Sequence, residues 1–539
     1  MSNSAQSQQT LSRVSRWALS LALFAALWSC GHSKHPLAPT EILRRGLAGE
    51  PSTLDPAATT DTFSQDVLRD LYEGLTSESI TGEVIPGVAA SWNIDATGTQ
   101  YTFQLRASAR WSNGKAVRAQ DFVAAWRRVV DPKQASPVAD DLRLIAGAAS
   151  VIAGILPVTA LGVYAPSDNV LVVKLEQPAP YLPQLLAHSA AYPIYSSASA
   201  STHNPATWIS NGPFVLSSWS PGTSIVLTRN AAYWDQKNVR IQQVNYIVIS
   251  DENAQFARYR AGELDMTDVV PANAIPSLHR NKSSELVAAP FLATAYYGLN
   301  LSTRPFAGNL KLRQAIAMAI DRKRLVNTIG FGQSAAFGFV PPNTWNYDPQ
   351  SWQWQAWSDD KRVAEAKRLY SQAGYSTSTP LHLRLVFNAN PVIRNTAITI
   401  AAMWRNTLGV DTELTEEEYR VFLQSRHDKA RWDVIRLGWT ADYNDASSFL
   451  NIFRGHSENN DGGYANPAYD ALVNEAAYTP DSDRRRTLLE SSEKILLADY
   501  PVVPLYFYAS NRLVKSYVRG VQVNPLNRVA SKTLTIVVH

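Results

Sequence analysis

The sequence predicts a mixed α/β protein built from interwoven domains, and three observations carry that expectation. Its 539 residues, 45% hydrophobic and only 18% charged, exceed what one simple core holds and imply roughly two to four domains. Short alternating strands and amphipathic helices are spread over the whole length, with no repeat and no low-complexity insert. Gly and Pro punctuation, as at Asn211-Gly212-Pro213 and Pro341-Pro342, marks turns, yet no stretch reads as a linker, so the domains are expected to be interwoven and not strung in series.

In chain order, residues 1–29 contain no acid, carry Arg13 and Arg16, and run apolar from Trp17 to Trp28. A positive segment followed by about a dozen apolar residues is the pattern of a secretory signal, too short for a comfortable membrane span. A short anchor that stays attached is the alternative reading. The ending Leu27-Trp28-Ser29-Cys30 resembles the lipobox of bacterial lipoproteins, which implies cleavage before Cys30 and lipidation there. Residues 30–41 would then form a polar, Pro-containing tether. His32 and His35 on that tether read as solvated side chains and not as metal ligands. Cys30 is the one cysteine, which excludes an intramolecular disulfide and any multi-cysteine metal site.

From residue 42 onward, strands are expected at Tyr101–Leu105, Val170–Leu175, Val244–Val248 and Leu381–Leu385, each rich in branched or aromatic side chains with period-two alternation. Helical spacing is clear in Phe122, Val123, Trp126 and Val129-Val130, and again along Leu312, Ile316, Ala319-Ile320 and Leu325. A further helix is expected from Asp359 as N-cap to a stop at Gly374, and another over Leu488–Leu497, ended by Pro501. No later stretch reaches 18 consecutive apolar residues.

Catalytic signatures are missing: there is no HExxH, GxSxG, GxxxxGK[ST] or helix-opening GxGxxG. The nine histidines are scattered, so no metal site and no cofactor is expected. Fifty Lys plus Arg against forty-six Asp plus Glu leaves +4, no polyelectrolyte surface for nucleic acid. Binding, and not enzymatic chemistry, is the expected activity. Fifteen tryptophans and twenty-three tyrosines fit an aromatic-lined cavity. One segment stands out, Arg431 to Asp445: a strand over Trp432–Leu437 delivers Arg436, Gly438 is read as a tight exit, and a polar loop with Asp442, Asn444 and Asp445 follows. Those loop side chains either hold a ligand or cap a helix over Ala446–Ile452.

The chain also resembles the bacterial extracellular solute-binding proteins of family 5, and among them the oligopeptide binders of peptide ABC importers. The matching stretches run in order: Leu54-Asp55-Pro56, Asp70–Leu75 (DLYEGL), Pro86–Trp92 (PGVAASW), Trp111–Gly114 (WSNG), Tyr259–Met266 (YRAGELDM), Trp439–Asn444 (WTADYN) and Arg512–Lys515 (RLVK). The resemblance implies a two-lobed flytrap of the type II, cluster C kind with an extra domain. Lobe I would comprise 42–72, 195–292 and 510–539, the extra domain 73–194 and lobe II 293–509, with hinge strands crossing between lobes.

What the resemblance implies for function is a periplasmic receptor, anchored to a membrane through Cys30, that captures short peptides and hands them to an ABC permease and, indirectly, its ATPase subunits. A monomer without cofactor is implied. Asp442 takes the peptide ammonium, since an unpaired buried charge costs several kcal/mol. Backbone around Gly438–Asp442, including Thr440, pairs with the peptide backbone. Arg436, Arg426 and Arg394 are the candidates for the peptide carboxylate, by their bidentate fork. Trp439, Tyr419, Tyr296 and Tyr508 line the cavity. For Arg394, Arg426 and Tyr508, plain surface or core roles stay open. Departures from the family pattern include Thr60 in place of a glutamate, Val138 in place of a tyrosine, and Ala293 with Thr440 where some members pair two cysteines. A murein peptide or a non-peptide solute is therefore an alternative ligand, and a secreted hydrolase a more distant one.

Overall fold

The computed structural model describes residues 41–195 and 205–537, apart from positions 282, 377, 456, 458 and 523. The expected signal, Cys30 and the tether up to residue 40 lie outside the described residues. Three larger sheets organise the rest.

The first sheet has the order Ile42–Leu47, Gln243–Val248, Ser224–Arg229, Phe214–Ser220. The first pair is parallel, Ile42 opposite Gln243, and the others are antiparallel. Alternation decides its buried face: Leu43, Phe214, Ile225, Leu227, Val244 and Tyr246 are all inaccessible, while residues between them keep solvent contact.

A second, antiparallel sheet runs Ala89–Ile94, Gln100–Leu105, Val170–Lys174, Val163–Ser167. The helix Ala119–Val130 presents Phe122, Val123, Trp126 and Val129 to the same core, as its 3.6-residue spacing requires. Its N-terminus is held by Asp121, whose carboxylate accepts the Arg118 N–H at 2.9 Å.

The third sheet positions the site. Its order is Ser334–Ala335, Val502–Leu513, Leu286–Leu299, Val434–Thr440, His382–Asn388, Asp411–Glu417. The last two strands are parallel and joined by the helix Pro391–Leu408, a βαβ unit. Leu286–Leu299 and Val502–Leu513 are unusually long. They pair antiparallel from Leu286 with Leu513 to Pro290 with Ala509, break, and resume at Thr294 with Phe507. Beyond the break Leu292 to Leu299 are fully buried. Just past the other end, Val514 bridges Met266, which bridges Arg45 of the first sheet. The continuation of Val502–Leu513 thus connects the six-stranded sheet to the first one through Met266.

All four expected strands are present. Three local expectations are corrected. The periodicity over Leu312–Leu325 belongs to two helices, Leu310–Met318 and Arg322–Ile329, because Asp321 accepts the Arg324 N–H at 2.9 Å and starts a second helix. The N-cap of Asp359–Gln372 is Ser358, whose hydroxyl accepts the Lys361 N–H, and Asp359 sits in the first turn, where its charge favours the helix dipole. The strand read as Trp432–Leu437 extends to Thr440, so Gly438 lies within it and is not its exit.

Candidate functional site

The strand Val434–Thr440 has two edges with different fates. One pairs fully with Leu286–Leu299, from Leu299 opposite Val434 to Ala293 opposite Thr440. The other meets His382–Asn388 only at Leu385 with Val434 and Val386 with Ile435, after which that strand continues beside Asp411–Glu417. Among the described residues, Arg436–Thr440 therefore presents one edge of backbone N–H and C=O groups with no strand partner. Backbone polar groups need partners, and a free edge of this kind accepts an extended chain.

Along this edge lies a cavity of about 290 Å3 whose lining includes Tyr296, Arg426, Arg436, Gly438, Trp439, Thr440 and Tyr508. Seven of the ten binding residues expected from the sequence thus converge, although they come from four separate segments. Period-two alternation sends Ile435 and Leu437 into the core and leaves Arg436 on the opposite face. Arg436 is only 9% exposed, and its guanidinium donates to the Tyr508 hydroxyl. Among the described residues no carboxylate comes within 4.0 Å of it. Gly438 leaves room for this pair: a Cβ there would meet the Tyr508 hydroxyl at 3.3 Å and Arg436 Nη1 at 3.6 Å. Tyr296 is held edge-on against Phe339, with ring centroids 5.0 Å apart, and against Phe453 at 6.2 Å. The Trp439 indole N–H is buried without a hydrogen-bond partner among the described residues.

The other expected residues stand differently. Arg426 lines the cavity, but its Nη2 donates to Asp461 at 2.8 Å, so its charge is already paired. Arg394 is half-exposed and bidentate to Glu416, at 2.7 and 2.6 Å, outside the cavity lining. Tyr419 opens the helix Tyr419–Ser425, and its side chain lies outside the described set. Asp442 follows the strand by two residues and keeps contact with solvent. Its N–H donates to Ser448 Oγ at 3.0 Å, and the Ser448 hydroxyl donates back to Oδ2 at 3.4 Å. Protein crowding round the group desolvates it and raises its carboxyl above the ordinary value.

The neighbours of Asp442 resolve the choice between cap and ligand for the rest of that loop. Asp445 is fully buried, bidentate to Arg485 at 2.6 and 2.8 Å, and accepts the Ser447 N–H at 2.9 Å. Asn444 accepts the Trp345 N–H at 2.8 Å. Both are structural, and Asp442 is the loop carboxylate left with only a hydroxyl partner. Tyr443 stacks on Tyr181 at 4.5 Å, which brings the loop against the start of the helix Leu182–Leu185. The Asp141 carboxyl is pushed up to about 6 by burial, then by the charges of Asp442 and Asp140.

Sequence reasoning missed Phe291, Asn388, Phe422 and Leu423, which complete the cavity wall together with Ala293 and Leu437. They carry no motif, and only the approach of distant strands puts them there. It also missed Glu493, which shapes the wall from behind. Its carboxylate accepts the Phe339 and Val340 N–H groups at 2.7 and 2.9 Å, the Gln350 N–H at 3.3 Å and the Tyr347 hydroxyl. The Thr294 hydroxyl fixes the Phe339 carbonyl at 2.8 Å. Of the departures, Thr60 is exposed and Val138 is buried in the core beside the second sheet. Among the described residues there is no group of three or more His, Cys, Asp or Glu placed for a metal ion. No described helix is long and apolar enough to cross a membrane.

Comparison with known proteins places this geometry. Residues 83–461 match the family described as bacterial extracellular solute-binding proteins, family 5 middle. The chain is 37% identical over 512 residues to the periplasmic oligopeptide-binding protein OppA of Salmonella typhimurium, covering 93% of this chain and 94% of that one. Its structure is similar to the unliganded open form of the periplasmic murein tripeptide-binding protein MppA, with a TM-score of 0.87 at 34% identity over 93% of this chain and 98% of that one. Against Haemophilus influenzae OppA in complex with RPPGFSPFR the TM-score is 0.70 at 32% identity, over 93% and 100%. At like identity and coverage, the fit is better to the open form than to the peptide complex.

Proposed function

The chain belongs to the bacterial extracellular solute-binding proteins, family 5, and from this we propose that it is the binding receptor of an ABC importer, which captures short peptides between two closing lobes and delivers them to a membrane permease. The observation that carries the reading is Arg436: a buried guanidinium with a phenol but no carboxylate beside it, at one end of an unpaired strand edge. A buried cation without a counter-charge is costly, and an arriving carboxylate relieves that cost.

In this reading the peptide lies along Arg436–Thr440 as an added strand. Asp442 takes its ammonium, Arg436 its carboxylate, and Gly438, Trp439 and Thr440 its backbone. Tyr296 and Tyr508 wall the side chains. Arg426 and Arg394 act on the ligand only by giving up Asp461 and Glu416, so their part is secondary. The lobes divide as 42–72, 195–292 and 510–539 against 293–509, with 73–194 as the extra domain. This division is supported by the first sheet, which joins the pieces 42–72 and 195–292, by the second, which falls within 73–194, and by the long strands Leu286–Leu299 and Val502–Leu513, which straddle the cuts. Periplasmic anchoring through Cys30, as a monomer, belongs to the same proposal and is supported by the Leu27–Cys30 ending.

Calorimetry of the cargo-free protein against a library of short free-ended peptides, a murein tripeptide among them, tests it. Binding at micromolar affinity or tighter is expected for at least one peptide class, and its absence throughout would sink the proposal. Mass spectrometry of the bound peptide after incubation should find it intact, in keeping with a receptor whose sequence carries none of the catalytic motifs named above.

A further inference from the structure

The loop that carries Asp442 is held by two separate parts of the chain. The helix Ser482–Asp499 supplies Arg485, which is bidentate to Asp445 and donates from Nη2 to Ser447 Oγ at 3.3 Å. The piece 73–194 touches the loop at two further points. Tyr181 stacks on Tyr443, with ring centroids 4.5 Å apart and planes within 8° of parallel, and the Gly82 carbonyl accepts the Asn444 side-chain N–H at 3.5 Å. The Arg485 guanidinium carbon lies 5.8 Å from the Tyr181 ring centre, so one tyrosine meets both the loop and its anchor. Tyr181 is itself tied to the second sheet. The Ala179 carbonyl accepts the Tyr101 hydroxyl at 3.0 Å and the Leu182 N–H at 2.9 Å, and the Pro183 carbonyl accepts the Thr76 hydroxyl at 2.7 Å.

Inside the loop, short bonds pass this support to Asp442. The Tyr443 hydroxyl bonds to Ser447 Oγ at 3.2 Å, the Asp445 N–H donates to the Tyr443 carbonyl at 2.8 Å, and the Ser448 N–H donates to the Asp445 carbonyl at 3.1 Å. Ser448 is in turn the hydroxyl partner of Asp442. With no cation beside it, the Asp442 carboxylate is placed by the loop backbone, and the loop is placed by Tyr181 and Arg485. Tyr181 does not line the cavity.

We infer that Tyr181 is a positioning residue for the ammonium site: through its stack on Tyr443 it sets the place of the Asp442 carboxylate without touching the peptide. The inference rests on the peptide-receptor reading and gives the piece 73–194 a part in recognition. Loss of one aromatic stack corresponds to a change of about three- to tenfold in affinity.

The test is calorimetry of the cargo-free protein with trialanine and N-acetyltrialanine, on the parent, Tyr181→Leu and Tyr181→Phe. Leucine keeps apolar bulk at the contact and removes the flat ring, whereas phenylalanine keeps the ring. Tyr181→Leu is expected to bind trialanine about three- to tenfold more weakly than the parent and N-acetyltrialanine equally well, and Tyr181→Phe to match the parent for both. A purely structural role would move the two peptides together. Equal loss for both, or no loss for trialanine, would overturn the inference and leave the receptor reading standing. Failure of the parent to bind trialanine would overturn both. Tyr443→Leu removes the stack from its other side. Adding Tyr181→Leu to it should weaken trialanine no further, and additive losses would show that the two rings act independently and overturn the inference.

Discussion

Ala293 and Thr440 sit directly opposite each other on neighbouring antiparallel strands, at the end of the pairing that frames the cleft. The next pair outward is bridged by the Ala441 N–H donating to the Leu292 carbonyl at 2.8 Å, so 293 and 440 form a non-hydrogen-bonded pair, with Cα atoms about 4.5 Å apart. That separation suits a disulfide. The double substitution Ala293→Cys with Thr440→Cys is therefore expected to oxidise spontaneously and stabilise the protein by about 2–4 kcal/mol. Non-reducing electrophoresis and thiol titration check the bond, and denaturant unfolding with and without reductant checks its effect.

Asp442 is predicted to govern recognition of the free amino terminus. Asp442→Asn should weaken binding of free-ended peptides by about 2–4 kcal/mol and leave N-acetylated peptides equally bound by variant and parent. The same residue predicts a pH dependence. Burial raises its pKa in the empty cleft, and an ammonium beside it would lower that pKa, so binding releases a proton from the group. Affinity should fall as pH drops through the raised pKa, beginning above the ordinary carboxylate range. Titrations in two buffers of different ionisation heat count the proton.

Gly438 is expected to tolerate no branched side chain. The Cβ of a valine there would meet the Tyr508 hydroxyl at 3.3 Å, tighter than an ordinary contact, and its methyl groups would take up room in the cavity that Gly438 lines. Because the backbone is extended at this position, the fold should survive. Gly438→Val should therefore lower peptide affinity at least about tenfold with an unchanged unfolding midpoint, measured by calorimetry and urea titration.

Glu493 is a positioning residue. Removing its carboxylate leaves the N–H groups of Phe339, Val340 and Gln350 unpaired in the interior, and Phe339 is the ring on which Tyr296 rests. Glu493→Ala should cost about 2–4 kcal/mol of stability, read by urea unfolding, and should weaken peptide binding without any direct contact.

Several features of the fold were legible in the amino-acid sequence because they are local. Alternation at Tyr101–Leu105 and Val244–Val248 gives strands, and 3.6-residue spacing at Phe122–Val130 gives a helix, whatever surrounds them. Errors arose where a local signal has two meanings. A glycine after an apolar run reads as an exit, yet Gly438 continues the strand because it pairs with Ala295 on the neighbouring strand, 143 residues away. Periodicity through Leu312–Leu325 does not reveal that Asp321 restarts the helix.

By itself the sequence determined the fold class and singled out the segment whose residues Arg436–Thr440 line the cavity. Only the tertiary structure decided which charges are available there. Arg426 is paired with Asp461, 35 residues away, Arg394 with Glu416, 22 away, and Asp445 with Arg485, 40 away, while Arg436 meets only phenols, Tyr508, 72 away, and its neighbour Tyr506. The physical reason is that a side chain's charge becomes a binding site only when no counter-charge reaches it, and which groups reach it is set by strands and helices far apart along the chain.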